Sequence, residues 1–156
     1  MHHAYGSLNK VLTTLWATVA SGEPIIIGGT STPLPASGLR VIWESNGQAD
    51  TQPTRLRAVV DLAIVVPPAT GGTHERASLA QKRANDLSIA LGFHGNAGYG
   101  RLGRYDWTDP NTPVYLTDME IYPEAGWVRI DGEASPGTIH LAQTVILRYI
   151  VPATQF

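Results

Sequence analysis

Residues 56–66 read L-R-A-V-V-D-L-A-I-V-V and run into Pro67-Pro68. Leu56, Ala58, Val60, Leu62, Ile64 and Val66 fall on one side of a period-two repeat, and Arg57, Val59, Asp61, Ala63 and Val65 on the other. The first side is wholly apolar. The second is mixed, with Arg57 and Asp61 at its leading end and Val59 and Val65 still apolar. A strand of this kind belongs inside a sheet or against a neighbouring subunit, and it is too long for an edge. The two prolines lack the amide donors that would continue a ladder, and Gly71-Gly72 frees the chain to turn.

Upstream, residues 39–44 (L-R-V-I-W-E) are strand-like, and Ser45-Asn46-Gly47 has turn chemistry. The connection through Pro53 predicts an open hairpin into residues 56–66. Before it, residues 21–38 form a stretch rich in Gly, Pro, Ser and Thr around Ile25-Ile26-Ile27. Its β-branched centre wants burial, either as a short strand of the same domain or as an arm laid on a neighbour. Leu8, Val11, Leu12, Leu15, Trp16 and Val19 recur at the spacing of one helical face, with Ser7 as the expected N-cap and Gly22 beyond the last turn. Lys10 is the only basic residue of this helix, which favours core packing over a membrane surface.

Downstream, Thr73 is the expected cap of a helix beginning at His74, with Glu75 near its positive end and Gly92 closing it. Ala77, Ala80, Ala84, Leu87 and Leu91 make its buried stripe, shallow enough to sit close on a sheet. Residues 92–104 are dense in glycine and read as a loop that is mobile or shaped by a partner. Residues 114–122 alternate, with Tyr115, Thr117, Met119 and Ile121 opposite Asp118 and Glu120, and Pro123 to Gly126 turn into 127–131 as a hairpin. Ile139, Leu141, Val145, Leu147 and Tyr149 share one face of a last strand over 138–151, interrupted by Gln143 and ended by Pro152. The order helix, two strands, helix, three strands predicts an α+β fold: one domain over 1–156, with a largely antiparallel mixed sheet of about five strands covered by two amphipathic helices.

The 156 residues make about one domain, with 43% hydrophobic and 15% charged residues against a usual charged share of about 25%. So few charges point to a surface that meets protein. A net charge of −2 argues against a generally nucleic-acid-binding surface, and the absence of cysteine excludes disulfides and thiolate metal sites. No stretch reaches membrane-spanning length, and Met1-His2-His3-Ala4-Tyr5 lacks a signal-like pattern, so a soluble, unexported chain is expected.

No motif states a reaction. His74, His94 and His140 lack metal-site spacing, and His2-His3 reads as a frayed terminus. No metal or cofactor is indicated. Asp118 and Glu120, about 7 Å apart by strand rise, would be the carboxylates of a small hydrolase, with Asp131 or Glu133 opposite. The simpler reading is a solvated strand face, or an intersubunit ion pair with Arg57, Arg129 or Arg148. Gly98-Tyr99-Gly100-Arg101 is like the start of a dinucleotide fingerprint but follows a helix and opens none. Arg101 and Arg104 among Tyr99, Tyr105 and Trp107 have the chemistry to touch nucleic acid, although a loop seated on a protein is favoured.

In its order of elements over nearly the whole chain, the sequence resembles tail terminator proteins of long-tailed bacteriophages, also called minor tail or tail completion proteins. The resemblance lies in L-N-K-V-L-T-T-L-W-A-T-V-A, R-L-R-A-V-V-D-L-A-I-V-V, R-A-N-D-L-S-I-A-L, D-M-E-I-Y and I-H-L-A-Q-T-V-I-L-R-Y. It implies a non-enzymatic virion protein of the tail and neck, made in the host cytoplasm. Six copies would form a ring on the last ring of tail tube protein, stop tube growth and dock the head-tail connector protein. DNA would make weak contact in the channel, and no membrane is involved. A head-tail stopper or adaptor is the neighbouring alternative. The residues expected at subunit or partner contacts are Ile25, Ile26, Ile27, Val59, Val65, Tyr99, Arg101 and Arg104. Val65→Asp is accordingly expected to harm assembly more than folding.

Overall fold

A computed structural model describes residues 3–49, 55–93, 99–131 and 135–151, with the backbone alone described at 46–49 and 69. In chain order the elements are α1 (Ala4–Val19), β1 (Ile25–Gly28), β2 (Gly38–Ala49), β3 (Arg55–Val66), α2 (Thr73–Ala90), β4 (Gly100–Asp106), β5 (Val114–Pro123), β6 (Val128–Arg129) and β7 (Ile139–Ile150), with a short 3-10 turn at Pro68–Thr70. This is the α+β arrangement read from the sequence. The described sheet has seven strands in the order β1-β2-β3-β7-β5-β4, with the two-residue β6 beside β7, roughly the sheet of about five strands expected. Among the described strands only the β1–β2 pair is parallel.

β3 is central, as its two-sided composition requires, paired along its length with β7 and on its other side with β2. Its alternation sorts the core: Leu56, Ala58, Val60, Leu62, Ile64 and Val66 all point into one buried cluster. Leu39, Val41 and Trp43 of β2 and Leu141, Val145, Leu147 and Tyr149 of β7 join them on that face. Gln143 interrupts the β7 series in sequence but not in space. It is buried among them, and its amide donates to the Ala125 carbonyl at 2.9 Å.

Both helices cover this first face. α2 lies on β3 and β7 through Ala80, Ala84 and Leu87. α1 runs from β4 to β1, the two ends of the sheet path, so the sheet must curl for one helix to meet both. At one end the Ser7 hydroxyl accepts the Tyr105 amide at 2.9 Å and the Trp107 indole N–H at 3.1 Å. At the other, Trp16 Nε1 donates to the Pro24 carbonyl at 3.1 Å. Ser7 is therefore not the cap. The helix begins at Ala4, and Ser7 is buried on its inner side, taking the place of a strand partner at the outer edge of β4.

Other boundaries also shift. α2 starts at Thr73, and the Glu75 carboxylate accepts the Gly72 amide at 3.3 Å. Residues 21–38 are no free arm: β1 pairs with Leu39 to Ile42 of its own chain. The glycine-rich segment 92–104 is not a loop throughout, because β4 begins at Gly100; residues 94–98, His94 and Gly98 included, lie outside the described residues. Gly100 is a glycine because a β-carbon there would stand 1.8 Å from the Leu91 carbonyl oxygen, where the end of α2 crosses the strand. Nor do residues 123–131 fold back as a hairpin. β6 pairs with β7, as β5 does, so it continues the line of β5 after an interruption at Glu124 to Trp127.

Candidate interaction surface

Among the described residues the second face of the sheet carries no helix, and cross-strand register places its side chains in rows. One row holds Ile26, Arg40, Ala63, Ala142 and Val128. The next holds Ile42, Asp61 and Thr144. Then come Ser45, Val59, Ile146 and Tyr122, and after them Arg57, Arg148, Glu120 and Arg101. Arg55 opposite Ile150 closes the series. Four of the exposed large apolar side chains, Ile26, Tyr99, Val128 and Ile150, lie on these rows or at their margin.

A β-bulge in β2 between Trp43 and Ser45 shapes the middle of this face. The Ser45 hydroxyl accepts the Val59 amide at 3.1 Å, and Glu44 is turned beside Asp61. A hydrogen bond with the Asp61 carboxylate, assisted by burial and by the Asp61 charge, raises the Glu44 carboxyl above its ordinary range. Asp61 in turn accepts the Thr144 hydroxyl at 2.7 Å. Glu44, Asp61 and Thr144, together with Arg40, line a groove of 410 Å3 between the sheet and the Glu124 to Ile130 segment.

The residues expected at contacts divide sharply. Ile26 (37% exposed), Val59, Tyr99 and Arg101 belong to the second face or its margin and retain exposure, Val59 being half-buried. Ile25 and Ile27 are half-buried on the edge strand and turn inward, packed against the core. Val65 is 1% exposed within the single chain, opposite His140 and beside Gly38, where the β1–β2 connection returns and Arg40 donates to the Thr32 carbonyl. Its expected role at an interface is overturned, since its own chain already covers it.

Arg104 is also 1% exposed. It lies on the core side of β4, where its guanidinium donates to the Ile150 carbonyl at 3.1 Å and sits 5.8 Å from the centre of the Tyr149 ring. Burial lowers its affinity for the proton, and the Tyr149 charge opposes that shift. Arg104 is a structural cation and cannot share a surface with Arg101. Tyr105 and Trp107 are likewise engaged by α1, with Lys10 5.3 Å above the Trp107 ring.

Asp118 and Glu120 do sit on one face, exposed, in an open hollow of 210 Å3 that Arg55, Arg101 and Arg148 also line. Asp118 accepts the Tyr115 hydroxyl at 2.9 Å, because a bulge at Leu116 turns Tyr115 away from Met119 and Ile121. Asp131 is not opposite them: it belongs beyond β6 and pairs with Arg129 at 3.4 Å, while Glu133 lies outside the described residues. No histidine lines this hollow, and among the described residues no three His, Cys, Asp or Glu side chains gather as a metal site. No helix among the described residues is long and apolar enough to cross a membrane. Sequence reasoning missed the Glu44–Asp61 pair, whose only signal is a bulge formed by tertiary pairing. It also missed Arg76, buried at the start of α2, which reaches the carbonyls of Pro68 and Gly71.

No family model matches the chain, and no curated protein matches it. Among solved structures, one protein that bears no functional name is similar in fold, at 12% identity over 95% of this chain and 94% of that one, with a TM-score of 0.51. At that identity the likeness concerns the fold alone.

Proposed function

We propose that this chain is a structural tail protein of a long-tailed bacteriophage. In this reading, copies of it form a ring, six-membered in the terminator pattern, that caps the tail tube and offers a docking surface to the head-side connector. The observation that carries the reading is the one-sided placement of the helices: α1 and α2 both cover the first face, leaving the second with exposed Ile26, Tyr99, Val128 and Ile150. A sheet face of this kind on a chain with 15% charged residues is suited to contact with protein. The parallel edge strand β1 adds backbone groups with no neighbour on its outer side among the described residues, a second place for another chain to join.

A head-tail stopper or adaptor would use the same surface, and the ring that it contacts in the virion distinguishes the two. The hydrolase reading has less behind it. Asp118 and Glu120 stand on an open sheet face flanked by arginines, without an enclosed pocket to hold substrate or exclude water. Electron microscopy of tail tube protein polymerising with and without the chain tests the proposal. The chain is expected to arrest growth and leave a ring at one tube end; tubes of unchanged length with bare ends would refute it.

A further inference from the structure

The sheet has two outer edges, and the chain treats them differently. Beside β4, α1 lies along Gly103, Tyr105 and Trp107, and the Ser7 hydroxyl takes the Tyr105 amide. On the outer side of β1 no described strand pairs. The parallel register with β2 fixes which backbone groups of β1 are spare. The Leu39 amide donates to the Pro24 carbonyl at 3.0 Å, so Pro24, Ile26 and Gly28 turn their backbone groups towards β2. Ile25 and Ile27 turn theirs outwards, where no described group receives them. Pro24, which has no amide to offer, stands where the outer side needs none. Edge strands are commonly blunted by a charge, a proline or a bulge. Residues 25–28 read I-I-I-G and carry none of these, and Ile26 is an exposed side chain on the second face.

We infer that two copies of this chain join β1 to β1 in antiparallel register about a two-fold axis beside Ile26, so that one sheet runs across the pair. In this register Ile25 of each copy stands opposite Ile27 of the other, and each such pair exchanges the backbone hydrogen bonds that β1 leaves spare. Ile26 stands opposite Ile26 as the closer, non-hydrogen-bonded pair, about 4.5 Å between Cα atoms, so the exposed side chains cover one another. Ile25 and Ile27 do the same on the core face, where each is half-buried in the single chain. Pro24 falls opposite Gly28 and Glu23 opposite Gly29, so no like charges meet and no bulky pair crowds the ends. These matches select the partner: an isologous contact needs a strand complementary to itself, and β1 is one in shape, polarity and register. A second copy has no equal alternative at its β4 edge, because α1 already lies along it. The pairing does not rest on the tail reading, since it closes at two copies, and it leaves Tyr99, Val128 and Ile150 open for ring contacts.

Hydrogen exchange of the full chain, followed residue by residue over a dilution series up to about 1 mM, tests this. Exchange at the Ile25 and Ile27 amides should slow as concentration rises, while the Ile26 amide, already held by β2, stays slow throughout. Sedimentation equilibrium over the same range should show a monomer in equilibrium with a dimer. Ile26→Lys, confirmed folded by its thermal melt, sets two ammonium groups against each other and should weaken pairing at least about tenfold. Val128→Lys, on the same face but away from β1, should leave pairing intact. If Ile26→Lys fails to fold, Ile26→Thr repeats the test with a β-branched side chain. A monomer at every concentration, a dimer unmoved by Ile26→Lys, or one lost equally in Val128→Lys would each overturn the pairing. Protection of Ile25 and Ile27 at high dilution would overturn it too, giving the edge to the chain's own residues. Protection that appears only when tail tube protein is added would give the edge to that partner instead.

Discussion

Leu62 and Val65 stand three residues apart on β3, on opposite faces, and both are buried by their own chain. Leu62→Ala leaves a cavity in the main core and is expected to cost about 2–5 kcal/mol, read by chemical denaturation. Val65→Asp puts a carboxylate where His140 and Gly38 close the second face, so it should destabilise the isolated monomer; an unchanged monomer melt would contradict that placement. Glu44 carries the acid–base prediction. Its folded-state carboxyl is raised chiefly by the hydrogen bond with Asp61, so its contribution to stability is full below the ordinary glutamate range and fades as pH rises through the raised value. Asp61→Asn removes the repulsion, and a carboxyl-detected NMR titration should show Glu44 losing its proton at lower pH than in the parent.

At the scale of elements, the edge of β4 depends on one hydroxyl. Ser7→Ala leaves the Tyr105 amide and the Trp107 indole without their acceptor, which should cost about 1–3 kcal/mol and speed hydrogen exchange at Tyr105 above that of Leu102. That contact also explains what could be read from the chain. α1, α2, β3 and β7 were legible because each repeats an apolar period over many residues. β4 was not, since Gly100 and Gly103 are chosen for close approach, to the Leu91 carbonyl and to the Tyr105 ring, and so imitate a loop. Arg104 looked like a surface cation because nothing in local sequence reveals that Ile150 supplies its acceptor and Tyr149 its ring. β6, two residues long, has no period to detect, and Ser7 had the composition of a cap while serving a strand 98 residues away.

For the whole molecule, the consequence of curling the sheet around α1 is that, among the described residues, both α-helices lie on one side. The other side is partly closed by the chain's own connections, at Val65 and His140, and partly open, at Ile26, Tyr99, Val128 and Ile150. The rows that hold Arg57, Arg148 and Asp61 belong to this open side. The account therefore turns on whether copies of the chain complete one another on a tail tube. Native mass spectrometry of the chain mixed with tail tube protein measures that directly: six copies bound together on the tube protein are predicted, and a spectrum holding only the monomer would contradict the account.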